Sequence, residues 1–297
     1  MTSGTSIFAS QFVTIQDKAQ SLLGTGSATR GYGQPVLSSD VFTGNTITKA
    51  QWDALRYDII NIRLHQDGVL PNIATINVGD PISYGPSSPN TNYDILLEQA
   101  IANRFNIAGN QSIVTAKASQ TYSSSWSVQA QSILTCTFAN ANDARYFFNS
   151  GGKLRVNSSI SEGSATSQVN AWKNFLGSVG TVSFGANTNP NVNFYTLTNS
   201  YQIYYQNNLS TPYSANSLRL EARCDVANNS AGTATQVFIR ITLLDGYVDS
   251  HPSPPPDLVD GTLTIAVQEL KASGILEPSG TFTVTSPTYS LSSITAS

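Results

Sequence analysis

Two stretches of this chain alternate apolar with polar side chains: Thr262-Leu263-Thr264-Ile265-Ala266-Val267-Gln268 and Val237-Phe238-Ile239-Arg240-Ile241-Thr242-Leu243. A period of two places every second side chain on the same face of a β-strand. In each stretch, apolar residues on one face oppose Thr, Arg or Gln on the other, as in a strand with one face buried and one face in water. Both stretches are therefore predicted to be half-buried strands.

Shorter runs of β-branched and aromatic residues recur from about Thr115 onward, each bounded by Gly, Asn, Ser or Pro. Their spacing is typical of an antiparallel sandwich or barrel and not of a parallel α/β sheet. Two short helices are predicted to interrupt the strands, at 140–152 and 168–176. The two alternating stretches belong to predicted strands over 236–244 and 262–270. The other predicted strands are 133–138, 154–156, 181–184, 194–197, 201–205, 218–224 and 281–285.

The first hundred residues have a helical period instead. Apolar residues at helical spacing predict a helix over 11–23. Thr48, followed three residues later by Gln51, forms a capping box that starts a second helix running to about His65. A third helix is predicted over 93–105.

These patterns predict an α+β fold in two parts. Residues 1–110 form a mainly helical anchoring module with Gly- and Pro-rich loops, and residues 111–297 form a mainly antiparallel β-sandwich or barrel-like domain with short helices. Residues 106–120 are interpreted as the linker between them. The Ser/Thr-rich stretch 286–297 is interpreted as a loose tail, or as a strand donated to a neighbouring chain.

The chain is poor in charge. Its net charge is −3 and 11% of its residues are charged, against about 25% in an ordinary soluble domain. Its mean hydropathy is −0.12, so its polarity comes from neutral groups, and Ser, Thr and Asn supply 94 of the 297 residues. The scattered basic residues argue against nucleic acid and anionic membranes as partners. No apolar run is long enough to cross a bilayer and the first residues lack a secretory signal, so we expect no membrane insertion.

The sequence predicts no metal or phosphate site and no cofactor. Residues 26–33 hold three glycines without the spacing or the preceding strand of a phosphate-binding loop. Residues 245–249 and 257–261 each bring two carboxylates to a turn, but neither keeps the ligand order of a calcium loop, so ordinary Asp-Gly turns are favoured. Cys136 and Cys224 are too few for zinc and are expected to be buried free thiols in preference to a disulfide.

The titratable residues favour a non-enzymatic role. His65 is expected at the C-terminal end of a helix, where an imidazolium complements the helix dipole, and His251 lies in a proline-rich connector. Glu221 and Glu269 fall in predicted strands and could face one cleft. A wall-degrading hydrolase that uses these acids is therefore the third hypothesis, behind a structural subunit and an adhesion module.

An aromatic run, Tyr201-Gln202-Ile203-Tyr204-Tyr205-Gln206-Asn207-Asn208, places rings beside amides. Such residues stack on sugar rings or anchor subunit interfaces. Tyr204, Tyr205, Trp126 and Trp172 are therefore candidate interface or glycan contacts. The alternative is that they are core and rim residues of ordinary strands.

A set of short segments in both halves of the chain carries a family resemblance. They are the first helix, Leu23-Gly24-Thr25-Gly26-Ser27, Gly31-Tyr32-Gly33-Gln34, the 52–66 helix ending in Arg63-Leu64-His65-Gln66, the helix Asp143-Ala144-Arg145-Tyr146-Phe147-Phe148-Asn149-Ser150-Gly151-Gly152, and Asp260-Gly261-Thr262-Leu263-Thr264. In this order they resemble the virion structural proteins of marine, mostly cyanobacterial, tailed phages. The family is described only as structural, so the resemblance carries over no catalytic residues.

The resemblance implies a non-enzymatic component of a virion assembled in the host cytoplasm. The expected place is the tail, neck, baseplate or fibre, and the expected partners are other virion structural proteins and copies of the same chain in a symmetric homo-oligomer. A capsid-surface decoration protein and a module that binds host surface glycans are the alternatives. Neutral polar side chains suit such a subunit, because they enter an interface without the desolvation cost of a charge.

Overall fold

A computed structural model describes residues 9–42, 44–75, 77, 93–248 and 258–297. These residues form five α-helices, two 3₁₀ turns and eleven strands in two antiparallel sheets, which confirms the predicted α+β sandwich. The helices are α1 (Ala9–Leu23), α2 (Lys49–Asp67), α3 (Tyr93–Ala102), α4 (Ala141–Asn149) and α5 (Ser167–Val179). The strands are β1 (Ser112–Tyr122), β2 (Gln129–Thr137), β3 (Lys153–Ser161), β4 (Thr181–Phe184), β5 (Gln202–Asn208), β6 (Ser217–Cys224), β7 (Gln236–Leu244), β8 (Thr262–Ile275), β9 (Thr281–Thr283), β10 (Thr288–Leu291) and β11 (Thr295–Ala296).

The first sheet has the strand order β1-β8-β3-β4, with β9 paired to the end of β8. The second has the order β10-β2-β7-β6-β5, with β11 also on β2. In β7 and β8 every second side chain is buried over most of the strand, as the alternating sequence predicted. β2 has the same burial pattern. β1, β4, β5 and β10 are the strands at the sheet edges among the described residues.

The predicted start of α2 is confirmed. The Thr48 side chain accepts from the backbone N–H of Gln51, and the Gln51 side chain accepts from the backbone N–H of Thr48. This arrangement satisfies N–H groups that a helix start otherwise leaves unpaired. Gly68 ends the helix in the left-handed conformation, with φ 74°. No helix in the described part of the chain is long and apolar enough to span a membrane.

The helical unit comprises the described residues within 1–113, 145–152 and 271–286, so its main boundary lies close to the predicted cut at 110/111. Within it, α1, α2 and α3 pack against one another. The Trp52 ring meets Phe12 at 5.1 Å and Tyr93 at 5.6 Å between centroids, edge to face in both cases. These buried rings form the centre of the helical core.

The glycine-rich segment 24–34 is held by the second half of α4, within the same unit. The Asn149 amide donates to three carbonyls of the segment, at 3.0 or 3.1 Å, and Arg145 donates to a fourth at 2.7 Å. The backbone N–H groups of residues 32–34 donate to carbonyls of residues 22–24. These three N–H groups are therefore not available to a phosphate. Gly33 has φ 69°, and a Cβ there would lie 2.4 Å from the Tyr146 ring, so the position requires glycine.

The β unit comprises the described residues within 114–144, 153–270 and 287–297 and contains the sandwich. Phe184 of β4 and Tyr204 of β5 meet at 5.1 Å between ring centroids, so the two sheets contribute to one core. α5 packs on β3 of the first sheet. Cys136 and Cys224 are buried free thiols, as predicted, and burial raises the pKa of both.

Three predictions about secondary structure are wrong. Residues 194–197 do not form a strand, because Asn193 and Thr196 cap a 3₁₀ turn at Phe194–Thr196. Most of the predicted linker over 106–120 belongs to the edge strand β1. The closing stretch is not a loose tail, since β10 and β11 pair with β2 of their own chain and the carbonyl of Ser297 accepts from three backbone N–H groups.

Candidate functional site

Three of the four aromatic residues chosen from the sequence are buried in the β unit. Trp126 and Trp172 meet edge to face at 5.4 Å, and both are at most 3% exposed. Tyr204 is also buried; burial raises the pKa of its phenol, and its hydroxyl has no hydrogen-bond partner among the described residues. Their burial fits the alternative interpretation of these three residues as core residues of the β unit. We therefore assign Trp126, Trp172 and Tyr204 to the core and not to a glycan or subunit contact.

Tyr205 alone of the four is partly exposed. It follows the bulge in β5 and lines a groove of about 350 Å³ beside the edge strand β4. The groove is lined by Val179, Thr181, Val182, Ser183, Thr188, Tyr204 and Tyr205. Its lining is uncharged, as the composition of the chain leads one to expect.

The two glutamates considered for hydrolysis do not form a pair. Glu221 lies in β6 of the second sheet and is held by Arg240. Glu269 lies in β8 of the first sheet, is fully buried, and accepts from the Tyr289 hydroxyl at 2.6 Å and from Lys117 at 3.3 Å. A retaining or inverting glycosidase needs both acids at one scissile bond, so this candidate arrangement is absent.

The aspartates proposed as turn residues act as hydrogen-bond acceptors within the fold. Asp245 is buried and accepts from the Gln168 amide at 2.7 Å, and Asp260 accepts from the backbone N–H and hydroxyl of Ser164. Asp249, His251 and Asp257 lie outside the described residues. Among the residues that are described, no group of three or more His, Cys, Asp or Glu side chains could hold a metal ion.

His65 has a structural role, but not the one predicted. It is 1% exposed and stacks on Phe282 with ring centroids 4.1 Å apart, and its Nε2 lies 3.1 Å from the Ser150 carbonyl. Burial lowers the pKa of its imidazole to about 4. The ring is therefore neutral near pH 7 and does not act as a cation at the helix end.

A cluster of charged residues lies on the outer face of the second sheet. We call it the arginine face; it comprises Tyr201, Arg219, Glu221, Arg223, Phe238 and Arg240. The intervening residues of β6 and β7 are buried in the core, so these side chains project away from the sandwich. The sequence contains a signal for this face, because charged and apolar residues alternate in Arg219-Leu220-Glu221-Ala222-Arg223. The face was nevertheless not among the predicted sites.

The arginine face holds three guanidinium groups and one carboxylate, and that carboxylate contacts two of the three. Arg240 donates twice to Glu221, at 2.7 and 2.8 Å, and these hydrogen bonds lower the pKa of the Glu221 carboxyl. Arg219 is more distant, at 3.5 Å. Arg223 lies 3.9 Å above the Phe238 ring and forms no ion pair or hydrogen bond within the described chain. Its guanidinium is positioned by the ring while its donors stay free.

The edge strand β1 is the second unusual surface. It is eleven residues long, whereas about five or six is typical. None of its residues is fully buried, and both Ile113 and Val114 are 46% exposed. Its single charged residue, Lys117, is engaged by Glu269, and it contains no proline. Only β8 pairs with it among the described strands.

Comparisons with protein-family models, with curated proteins and with solved structures find no match to this chain. The assignment of a function therefore rests on the chain's own residues. Two surfaces of the chain, the edge of β1 and the arginine face, are unusual for a domain that acts alone.

Proposed function

We propose that this chain is a non-enzymatic structural subunit of a tailed-phage virion, placed in the tail, neck, baseplate or fibre. It associates with copies of itself and with neighbouring virion proteins. The alternatives are a capsid-surface decoration protein and a module that binds host glycans. The resemblance of its helical and turn segments to virion structural proteins supports the phage assignment, and the scarcity of charge suits burial at interfaces.

The observation that carries self-association is the outer edge of β1, which no other described strand covers. A sheet edge presents unpaired N–H and C=O groups to any approaching strand. Monomeric proteins protect such edges with short strands, lysines, prolines or bulges. β1 is long, holds no proline and uses its one lysine against Glu269, so these protections are weak. A strand of a neighbouring subunit that pairs with β1 satisfies its edge and covers Ile113 and Val114.

The test is sedimentation velocity of the purified chain over a wide range of concentration, together with mass spectrometry of purified particles. We expect reversible oligomers and copies of the chain in the particle. Ala116→Lys with Ser119→Lys places two charges on exposed positions of β1 and should weaken association at least about tenfold. Thr181→Lys, on the exposed edge strand β4 of the same sheet, is the matched control and should leave it unchanged.

Circular dichroism of each variant separates lost association from lost folding. A chain that is monomeric at every concentration and absent from particles overturns the proposed function. Association that survives the β1 substitutions, with the fold intact, overturns the assignment of the interface to β1.

A further inference from the structure

A second cavity in the β unit is also bordered by α5 but has its own set of lining residues. It lies between the second half of α5 and the loop that follows β5, and its volume is about 430 Å³. Small-molecule sites usually have volumes of about 300–1,000 Å³. The cavity is lined by Ala171, Asn174, Phe175, Ser178, Leu209, Ser210, Thr211, Pro212 and Tyr213.

Two aromatic rings line the cavity and are fixed by their neighbours. Phe175 is partly exposed and packs edge to face against the buried Trp172, at 5.9 Å between centroids. Tyr213 is 8% exposed and packs against Tyr247 at 4.8 Å. A ring held in this way provides apolar contact area without a further loss of side-chain entropy on binding.

Neutral polar groups surround these rings. Asn174, Ser210 and Thr211 are exposed, and their side chains form no hydrogen bond within the described chain. An amide and two hydroxyls can both donate and accept. No charged side chain lines the cavity. An anionic or cationic ligand would lose hydration here without gaining a counter-charge. An uncharged polyol also loses hydration, but the amide and the two hydroxyls can replace its hydrogen bonds to water.

We propose that this cavity binds one residue of an uncharged sugar, a hexose or an N-acetylhexosamine. The apolar C–H face of the sugar packs on Phe175, and its hydroxyls exchange hydrogen bonds with the Asn174 amide and with Ser210 and Thr211. None of Trp126, Trp172, Tyr204 and Tyr205, the aromatic residues that the sequence suggested, lines this cavity, although Trp172 supports Phe175 from behind. It does not depend on self-association.

The experiment titrates the full chain with the methyl glycosides of glucose, galactose, mannose and N-acetylglucosamine, followed by saturation-transfer NMR and calorimetry. We expect saturable binding of at least one of them with a Kd in the range of about 1 mM, as a ligand of this size allows. Asn174→Ala and Phe175→Ala should each weaken it about tenfold. Tyr205→Ala, in the other groove, is the control and should leave the Kd unchanged.

Asn174 is exposed, so its truncation tests the site even where Phe175→Ala impairs folding. No saturable binding by any of the four glycosides overturns the proposal, and so does binding that both cavity variants leave intact. Glucuronic acid that binds as tightly as glucose overturns the selection for an uncharged sugar. Each of these results leaves the oligomeric state, and hence the proposed structural function, untouched.

Discussion

At the scale of single residues, His65 shows how burial changes the meaning of a sequence position. Its place near the end of α2 predicted an imidazolium beside the helix dipole. The folded chain instead stacks the ring on Phe282 and leaves Nδ1 without a partner among the described residues. A buried imidazolium there would be desolvated with no counter-charge, and this cost keeps the ring neutral.

The same burial predicts an acid-sensitive fold. The pKa of His65 is about 4 in the folded chain and 6.5 when unfolded, so the unfolded state binds more protons between these values. The free energy of unfolding therefore falls as pH drops from 6.5 to 4, by about 3 kcal/mol from this residue. Urea unfolding at several pH values measures the slope. His65→Phe keeps an aromatic ring and should flatten it; an equal slope in both proteins would contradict the assignment.

Asn149 is a second single residue on which the stability of a whole segment depends. It is 1% exposed, and its amide donates to three carbonyls of the glycine-rich segment. Asn149→Ala leaves those carbonyls without this donor and should lower the free energy of unfolding by about 2–3 kcal/mol. Chemical denaturation measures the change. Asn174→Ala, at an exposed position of α5, is the control and should stay within about 0.5 kcal/mol; a similar loss in both variants would refute the role of Asn149.

At the scale of elements, the prediction succeeded where β-branched and aromatic runs or a capping motif mark an element in the sequence. β4 and β7 have the predicted bounds, and the capping box of α2 is formed. β1 was missed because neither of its faces is fully buried, so its sequence lacks a clean alternation. β10 and β11 were missed because they are short and owe their conformation to pairing with β2, which is distant in sequence.

The candidate surfaces were harder to predict than the elements. A sequence pattern gives the face on which a side chain lies, but not which other strands are its neighbours. The aromatic residues were chosen for ring chemistry, and three of the four proved to be core. The arginine face depends on the register that sets Glu221 opposite Arg240, and the cavity at α5 depends on the packing of the loop at 209–213. Neither relation is local in sequence.

The capping box gives an element-scale prediction. Thr48→Ala removes the acceptor for the Gln51 N–H at the start of α2. It should lower the free energy of unfolding by about 1 kcal/mol, since an N-cap side chain contributes about that much. Thermal or urea denaturation measures it. Thr46→Ala lies two residues earlier at an exposed position without a side-chain hydrogen bond and should cost less than about 0.5 kcal/mol. Equal costs would mean that the cap does not stabilise the helix.

At the scale of the whole molecule, the scarcity of charge and the exposed edge of β1 point to the same kind of interface. Strand pairing is made of backbone hydrogen bonds and apolar contacts, neither of which is screened by salt. The chain has 15 basic and 18 acidic residues, and several of them are already paired within the fold. An interface at β1 therefore uses few intermolecular ion pairs.

Association through β1 and association through the arginine face should differ in their dependence on salt, so the two can be distinguished in solution. Raising NaCl from about 0.1 M to about 1 M shortens the Debye length from about 10 Å to about 3 Å. Association through β1 should change by less than about threefold, because it does not rest on exposed charges. Association through the arginine face would weaken strongly, since Arg223 and Arg219 would pair with acidic groups of a neighbour. Sedimentation velocity of the same preparation at the two salt concentrations decides between them. A steep loss of association at high salt, abolished by Arg223→Gln, would move the subunit interface from β1 to the arginine face.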